Sequence, residues 1–252
     1  MMLLRSALFN LLFYANLITL MILGLPTLLM TRHAVFSLAR IWAKSSLWLL
    51  KVICGTSVEF RGVQNIPEGG YIIAPKHQSI WETFALCLYF PDFSFIIKRE
   101  LTWIPVFGWY LKKAEQIAIN RSSGSAALSE ASQRSREILA AGRQLFIFPE
   151  GTRRPVGAPP VYKFGVAHIY TQANAQCLPV ALNSGLFWPR RSFLRLPGTI
   201  LVEFLEPIPP GLDRGTFFNL LQDRMEQATN KLIDESVRAN PKLSELLNPT
   251  AG

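Results

Sequence analysis

The chain has 252 residues, half of them hydrophobic, and a formal net charge of +9 at pH 7. This length suits one large domain with an appendage, and a chain both apolar and basic is typical of proteins that meet an anionic lipid surface. A nucleic-acid partner is not expected, because no helix-turn-helix, zinc-finger or RNA-binding signature is present.

The cysteines and histidines argue against disulfides and metals. Cys54, Cys87 and Cys177 are odd in number, far apart and set in apolar runs, which is typical of buried free thiols in a reducing compartment. The three histidines are also widely separated, so we expect neither a metal site nor a bound cofactor.

The N-terminal segment predicts two membrane-associated helices. Residues 7–30 are almost continuously apolar, enough for a membrane-crossing helix that kinks or ends at Pro26. Residues 35–53 predict an interfacial helix, and its basic side chains are Arg40, Lys44 and Lys51. The first helix could span the membrane, or both could form a hairpin in one leaflet. Two core helices of a soluble bundle are the third arrangement, although such a long apolar run is rare there.

From residue 57 onward, short β-rich runs alternate with helical stretches. Strands are predicted around residues 58–60, 71–74, 93–97, 117–119, 145–148, 178–182 and 200–204. Helices are predicted around residues 79–88, 126–141, 163–173 and 217–232. This alternation predicts an α/β domain with a mostly parallel central sheet flanked by helices. The expected organisation is a membrane-associated two-helix segment (1–56), the α/β domain (57–240) and a tail (241–252).

Polar side chains follow three of the predicted strands. They are His77 and Glu82 after the second strand, Arg121 after the fourth, and Glu150, Thr152 and Arg153 after the fifth. Ends of parallel strands converge on one crevice. An imidazole base beside guanidinium groups, which bind phosphate bidentately, suggests group transfer to a hydroxyl of a phosphate-bearing molecule. Singly, each residue is explained as well by a turn or a solvated charge.

Glu82 has a second explanation. Ser79-x-x-Glu82 fits a capping box, in which the Glu carboxylate accepts a hydrogen bond from a first-turn amide. We expect one carboxylate to be unable to serve both these amides and the His77 imidazole.

Four ordered blocks carry a resemblance to a known family, and a fifth segment, Lys98–Leu101, adds to it. The blocks are His77–Glu82, Ala118–Arg121, Phe148–Arg153 and Leu178–Leu182. Together they resemble the glycerolipid acyltransferase family, and within it the lysophosphatidate acyltransferases, over about residues 58–206. Two positions depart from the family pattern: Glu82 replaces an Asp, and Lys76 replaces an Asn.

The resemblance implies transfer of an acyl group from acyl-carrier protein or coenzyme A to the sn-2 hydroxyl of lysophosphatidic acid. The expected setting is the cytoplasmic face of the inner membrane. The resemblance implies that His77 is the general base and that Glu82 orients it. It implies that Arg121 and Arg153 bind the acceptor phosphate, with Lys163 as a further candidate. Glu150 is expected to orient the acceptor glycerol, and Gly151 and Thr152 are expected to belong to the same binding block.

Three alternatives remain. The acceptor could be another lysolipid, such as a lyso-ornithine lipid. The protein could instead be a basic membrane adaptor without activity, although an adaptor has no need of the Phe148–Arg153 block. A Ser or Cys hydrolase lacks support, since the Gly-x-Ser-x-Gly elbow is absent.

Overall fold

A computed structural model of the chain describes residues 1–247, except the side chain of Arg121. Its strands are β1 Thr56–Arg61, β2 Ile72–Pro75, β3 Phe93–Lys98, β4 Ile117–Ile119, β5 Gln144–Phe146, β6 Cys177–Leu182 and β7 Gly198–Phe204. They form one sheet with the order β1-β7-β6-β2-β5-β3-β4. All neighbours pair in parallel except β6 and β7. The predicted mostly parallel sheet is therefore confirmed.

Helices cover both faces of this sheet. They are α1 Met2–Leu23, α2 Arg32–Leu49, α3 Glu82–Ala85, α4 Phe107–Lys113, α5 Ser125–Ala140, α6 Gly165–Ala173 and α7 Arg214–Ala239. Strands β2 and β6 are buried along their whole length, which explains their continuous apolar runs. Ile73 packs with the aromatic side chains of α1 and α2, whereas Ile72 packs with α5, α6 and α7.

The two N-terminal helices pack on the α/β domain. Within the described residues, α1 is a helix long and apolar enough to cross a membrane, and 17% of its apolar window is buried. It ends before Pro26, as predicted, and a 3-10 turn follows at Leu25–Leu29. Phe9 and Phe13 of α1 pack against Trp188 of the domain.

Two elements differ in extent from their predictions. The helix expected through residues 79–88 is the four-residue α3 followed by a 3-10 turn at Leu86–Leu88, because residues 77–81 form a tight loop. Residues 241–246 of the predicted tail form a 3-10 turn that buries Leu243, while residues 248–252 lie outside the described part. All three cysteines are free and buried, as predicted.

Candidate active site

His77 and Glu82 form a hydrogen-bonded pair directly after β2. The His77 Nδ1 lies 2.9 Å from Glu82 Oε1, and the Glu82 carboxylate is fully buried. A carboxylate only accepts hydrogen bonds, so Nδ1 carries a hydrogen, and in the neutral imidazole Nε2 then has the lone pair. The ring stacks on Phe148, with 4.0 Å between centroids, and Nε2 has no hydrogen-bond partner among the described residues. This geometry suits a general base.

Glu82 also caps the loop that holds His77, so the expectation that the two roles exclude each other is wrong. Its Oε1 accepts hydrogen bonds from the amides of Gln78 and Ser79, each at 2.7 Å, while also contacting the imidazole. Its Oε2 accepts one from Ser184 Oγ at 2.8 Å. All donors to Oε1 fit because the loop wraps around the carboxylate. The cap and the imidazole partner are therefore the same oxygen.

Glu150 holds the backbone of His77. The side chain is 1% exposed, and Oε2 accepts a hydrogen bond from the His77 amide at 2.9 Å. Oε1 forms an ion pair with Lys76 Nζ at 2.9 Å. Burial raises the pKa of Glu150 above its ordinary value, and the Lys76 ammonium opposes that rise. The expected contact between Glu150 and the acceptor stays a prediction, and the geometry assigns this carboxylate a positioning task.

Lys76 connects this loop to α7. Its Nζ also contacts Glu226 Oε1 at 2.5 Å, and the Tyr162 hydroxyl donates to the same oxygen at 2.7 Å. The ammonium thus lies between two carboxylates, and its side chain is 6% exposed. Lys76 is thus paired with a carboxylate of α7 that lies 150 positions away in the sequence.

The turn after β5 carries the other predicted side chains. Gly151 has a φ of +66°, in the left-handed region where glycine is unstrained. Thr152 and Lys163 are exposed, and the Lys163 amide donates to Pro149 O at 2.7 Å. Arg153 is half-buried. The predicted phosphate ligand Arg121 follows β4, but its side chain lies outside the described residues.

Sequence reasoning missed two partners of the pair. Ser184 binds Glu82 from the segment after β6, and Phe148 stacks on the imidazole from the end of β5. Ser184 carried the signal used elsewhere, a polar residue just past an apolar strand. Phe148 is the first residue of the Phe148–Arg153 block, but an aromatic residue at the end of a predicted strand does not show that it stacks on an imidazole.

Comparisons with known proteins show the family of the chain. A model of the family described as Acyltransferase matches residues 57–183, half of the chain. The 1-acyl-sn-glycerol-3-phosphate acyltransferase of Pseudomonas aeruginosa is 42% identical over 161 residues, 64% of this chain and 63% of that protein. The Saccharomyces cerevisiae protein of the same name is 26% identical over 202 residues, 78% of this chain and 64% of that protein. The matches therefore span less than two thirds of either relative.

The fold also has a solved counterpart. The crystal structure of the 1-acyl-sn-glycerophosphate (LPA) acyltransferase from Thermotoga maritima superposes with a TM-score of 0.75 and 22% identity, covering 92% of this chain and 99% of that one. At this identity the match shows the fold alone. Because the family match spans half of the sequence and contains the His77–Glu82 pair and the Phe148–Arg153 turn, the chain belongs to the acyltransferase family.

Proposed function

We propose that the protein transfers a fatty acyl group from an acyl-carrier protein or coenzyme A thioester to the sn-2 hydroxyl of lysophosphatidic acid, giving phosphatidic acid. The observation that carries this proposal is the His77–Glu82 pair, whose Nε2 is unpartnered among the described residues. The names of two relatives support the choice of acceptor.

The proposed reaction needs no nucleophilic side chain. The acceptor hydroxyl gives its proton to His77 Nε2, and its oxygen attacks the thioester carbonyl carbon. The tetrahedral intermediate then expels the thiolate, so one C–O bond forms and one C–S bond breaks. The imidazolium returns the proton to the sulfur. Glu82 keeps the proton on Nδ1 and stabilises the imidazolium while it exists.

The acceptor phosphate is assigned to arginines at the strand ends. Arg153 follows Glu150 in the β5 turn, and Arg121 follows β4 on the same edge of the sheet. Guanidinium groups bind phosphate oxygens bidentately. Lys163 remains a further ligand candidate, with its exposed ammonium close to the same turn.

Contacts along α1 support a position in one leaflet. The Arg195 amide donates to Ser6 Oγ at 2.9 Å near one end, and the Tyr110 hydroxyl donates to Met21 O at 2.8 Å near the other. Because an α-helix rises 1.5 Å per residue, the domain lies against α1 over a length of about 22 Å. If α1 crossed the roughly 30 Å hydrocarbon core, the polar groups of the domain that contact it would also have to enter the core. We therefore favour an in-plane helix whose exposed apolar face enters the cytoplasmic leaflet.

The test is acyl transfer by purified wild-type protein and His77→Ala. Each is assayed for thiol release with lysophosphatidic acid or a lyso-ornithine lipid as acceptor and with each donor. We expect the wild type to prefer lysophosphatidic acid and His77→Ala to lose at least 10²-fold in kcat, roughly the low end of general-base contributions. A variant near the wild-type rate would refute the base assignment. A wild type that binds vesicles but consumes no thioester would favour the adaptor.

A further inference from the structure

A basic cleft lies beside the loop that carries His77. It has a volume of about 330 Å³, and its walls include Gln78, Val156, Gly185, Arg190 and Arg191. Gln78 is the residue after His77, and its Oε1 accepts a hydrogen bond from the Gly185 amide at 3.0 Å. Small-ligand sites start at about 300 Å³, so the cleft is large enough for part of a substrate.

Two arginines line this cleft, and two more lie close enough to act on one of them. Burial, followed by repulsion from Arg191, Arg153 and Arg154, lowers the pKa of Arg190. Among the described residues, no carboxylate forms an ion pair with any of them. Such a concentration of unpaired like charge is unfavourable without an anion.

Arg154 is hydrogen-bonded to the loop that carries His77. Its amide donates to His77 O at 2.7 Å, and its side chain donates from Nη2 to Pro159 O at 3.1 Å. Its Nε is buried and has no hydrogen-bond partner in the described part of the chain. A buried unsatisfied donor costs free energy that a bound acceptor would recover.

The strand order separates Arg190 and Arg191 from Arg121. The segment after β6 carries Arg190 and Arg191, whereas Arg121 follows β4 at the edge of the sheet. His77 follows β2, which lies between β6 and β4 in the sheet. Arg190 and Arg191 therefore follow a strand on the opposite side of β2 from β4, and a phosphate bound at the end of β4 would leave their charges uncompensated.

We propose that the cleft between the His77 loop and the segment after β6 is a phosphate-ester site in which Arg190 and Arg191 are the main ligands. The identity of the ester rests on the proposed function, which brings two phosphate-bearing molecules to His77. The phosphate belongs either to the acceptor headgroup or to the pantetheine arm shared by coenzyme A and acyl-carrier protein. Arginine forks bind both in the same way.

The test uses Arg190→Gln and Arg191→Gln, singly and together, with Arg136→Gln as a matched control. Arg136 is an exposed arginine on α5 that does not line the cleft. We measure KM for lysophosphatidic acid, for acyl-coenzyme A, and for an acyl-pantetheine with and without its phosphate. Loss of a charge-assisted bond predicts a rise of about tenfold or more in KM for the substrate whose phosphate is bound.

The two sources give different results. A raised KM for lysophosphatidic acid assigns the site to the acceptor. A raised KM for the phosphorylated donors, with no change for the unphosphorylated acyl-pantetheine, assigns it to the donor. Equal KM values for all substrates in the double variant and the Arg136→Gln control would overturn the proposal.

A second readout needs no turnover, so it separates this proposal from the proposed function. Inorganic phosphate at constant ionic strength should raise the Tm of the wild type and of Arg136→Gln equally, and should raise that of the double variant less, because the double variant keeps only the arginines assigned to the acceptor phosphate, Arg121 and Arg153. An identical Tm response in all three proteins would also overturn the site. A phosphate response without acyl transfer would refute the proposed function alone.

Discussion

Glu82→Gln separates the two tasks of the Glu82 carboxylate. Oε1 of the amide can still accept hydrogen bonds from Gln78 N, Ser79 N and His77 Nδ1, and the new NH2 group can donate to Ser184 Oγ. A flipped amide would point donors at two backbone N–H groups, each a loss of about 1–3 kcal/mol. The substitution therefore keeps the loop and the histidine tautomer and removes only the negative charge.

The magnitude follows from Coulomb's law. The imidazolium charge is spread over the ring, so its effective separation is longer than the 2.9 Å contact between Nδ1 and Oε1. Two unit charges about 4 Å apart at an effective dielectric constant of about 20 interact by about 4 kcal/mol. Because each 1.36 kcal/mol added to the activation free energy lowers the rate tenfold, kcat should fall about 10³-fold. Reversal of the tautomer would cost about 10⁴-fold.

The assay compares kcat, KM and Tm of the wild type, Glu82→Gln and Ser184→Ala. The Ser184 variant is the control because it removes a hydrogen bond from Oε2 and leaves the charge and the imidazole contact in place. We expect about a tenfold loss from it, because one hydrogen bond to a charged group contributes about 1.5 kcal/mol at the low end of its range. A Glu82→Gln enzyme within threefold of the wild-type kcat would refute the electrostatic role. A large fall in Tm would show that the cap also depends on the charge.

Two further predictions concern stability and membrane binding. Lys76→Met leaves Glu150 and Glu226 without their shared ammonium, so the free energy of unfolding should fall by about 3–5 kcal/mol and the Tm by about 6–20 °C. Without that ammonium the pKa of folded Glu150 rises further above its unfolded value. The stability deficit relative to the wild type should then grow as pH rises above the raised pKa that Glu150 has in the folded wild type, and an equal deficit at pH 5 and pH 8 would contradict this. Leu8→Glu with Leu11→Glu alters the exposed face of α1 and should lower partition onto anionic vesicles about a hundredfold at an unchanged Tm; unchanged sedimentation with vesicles would contradict the membrane role of this face.

Sequence patterns predicted the helices and strands whose formation depends mainly on residues near one another in the chain. The apolar run before Pro26 predicted α1 and its end, and the helical stretch around residues 126–141 predicted α5. Short apolar runs ending in polar residues predicted β2 and β5 and the positions of His77 and Glu150. In each case the signal is a periodicity or a backbone preference within one element.

The boundaries of α3 escaped the same reasoning. Propensity favours a helix from Ser79 onward, but the Glu82 carboxylate draws the amides of residues 78 and 79 around itself and delays the helix. The Ser-x-x-Glu spacing could not show that the cap and the catalytic contact share one oxygen. That outcome depends on the three-dimensional path of a five-residue loop.

The sequence by itself determined the α/β class, the apolar N-terminal helix and which strand ends carry the reactive side chains, because these depend on neighbours in the chain. Only the tertiary structure decided the pairing of Lys76 with Glu226 across 150 positions, the strand order, and the hydrogen bond from Ser184 to Glu82. Contacts of this range have no periodic trace in sequence, since their free energy arises only after the sheet has ordered its strands. The sequence alone identified His77 as a candidate base. The buried carboxylates that orient His77 became visible only in the fold.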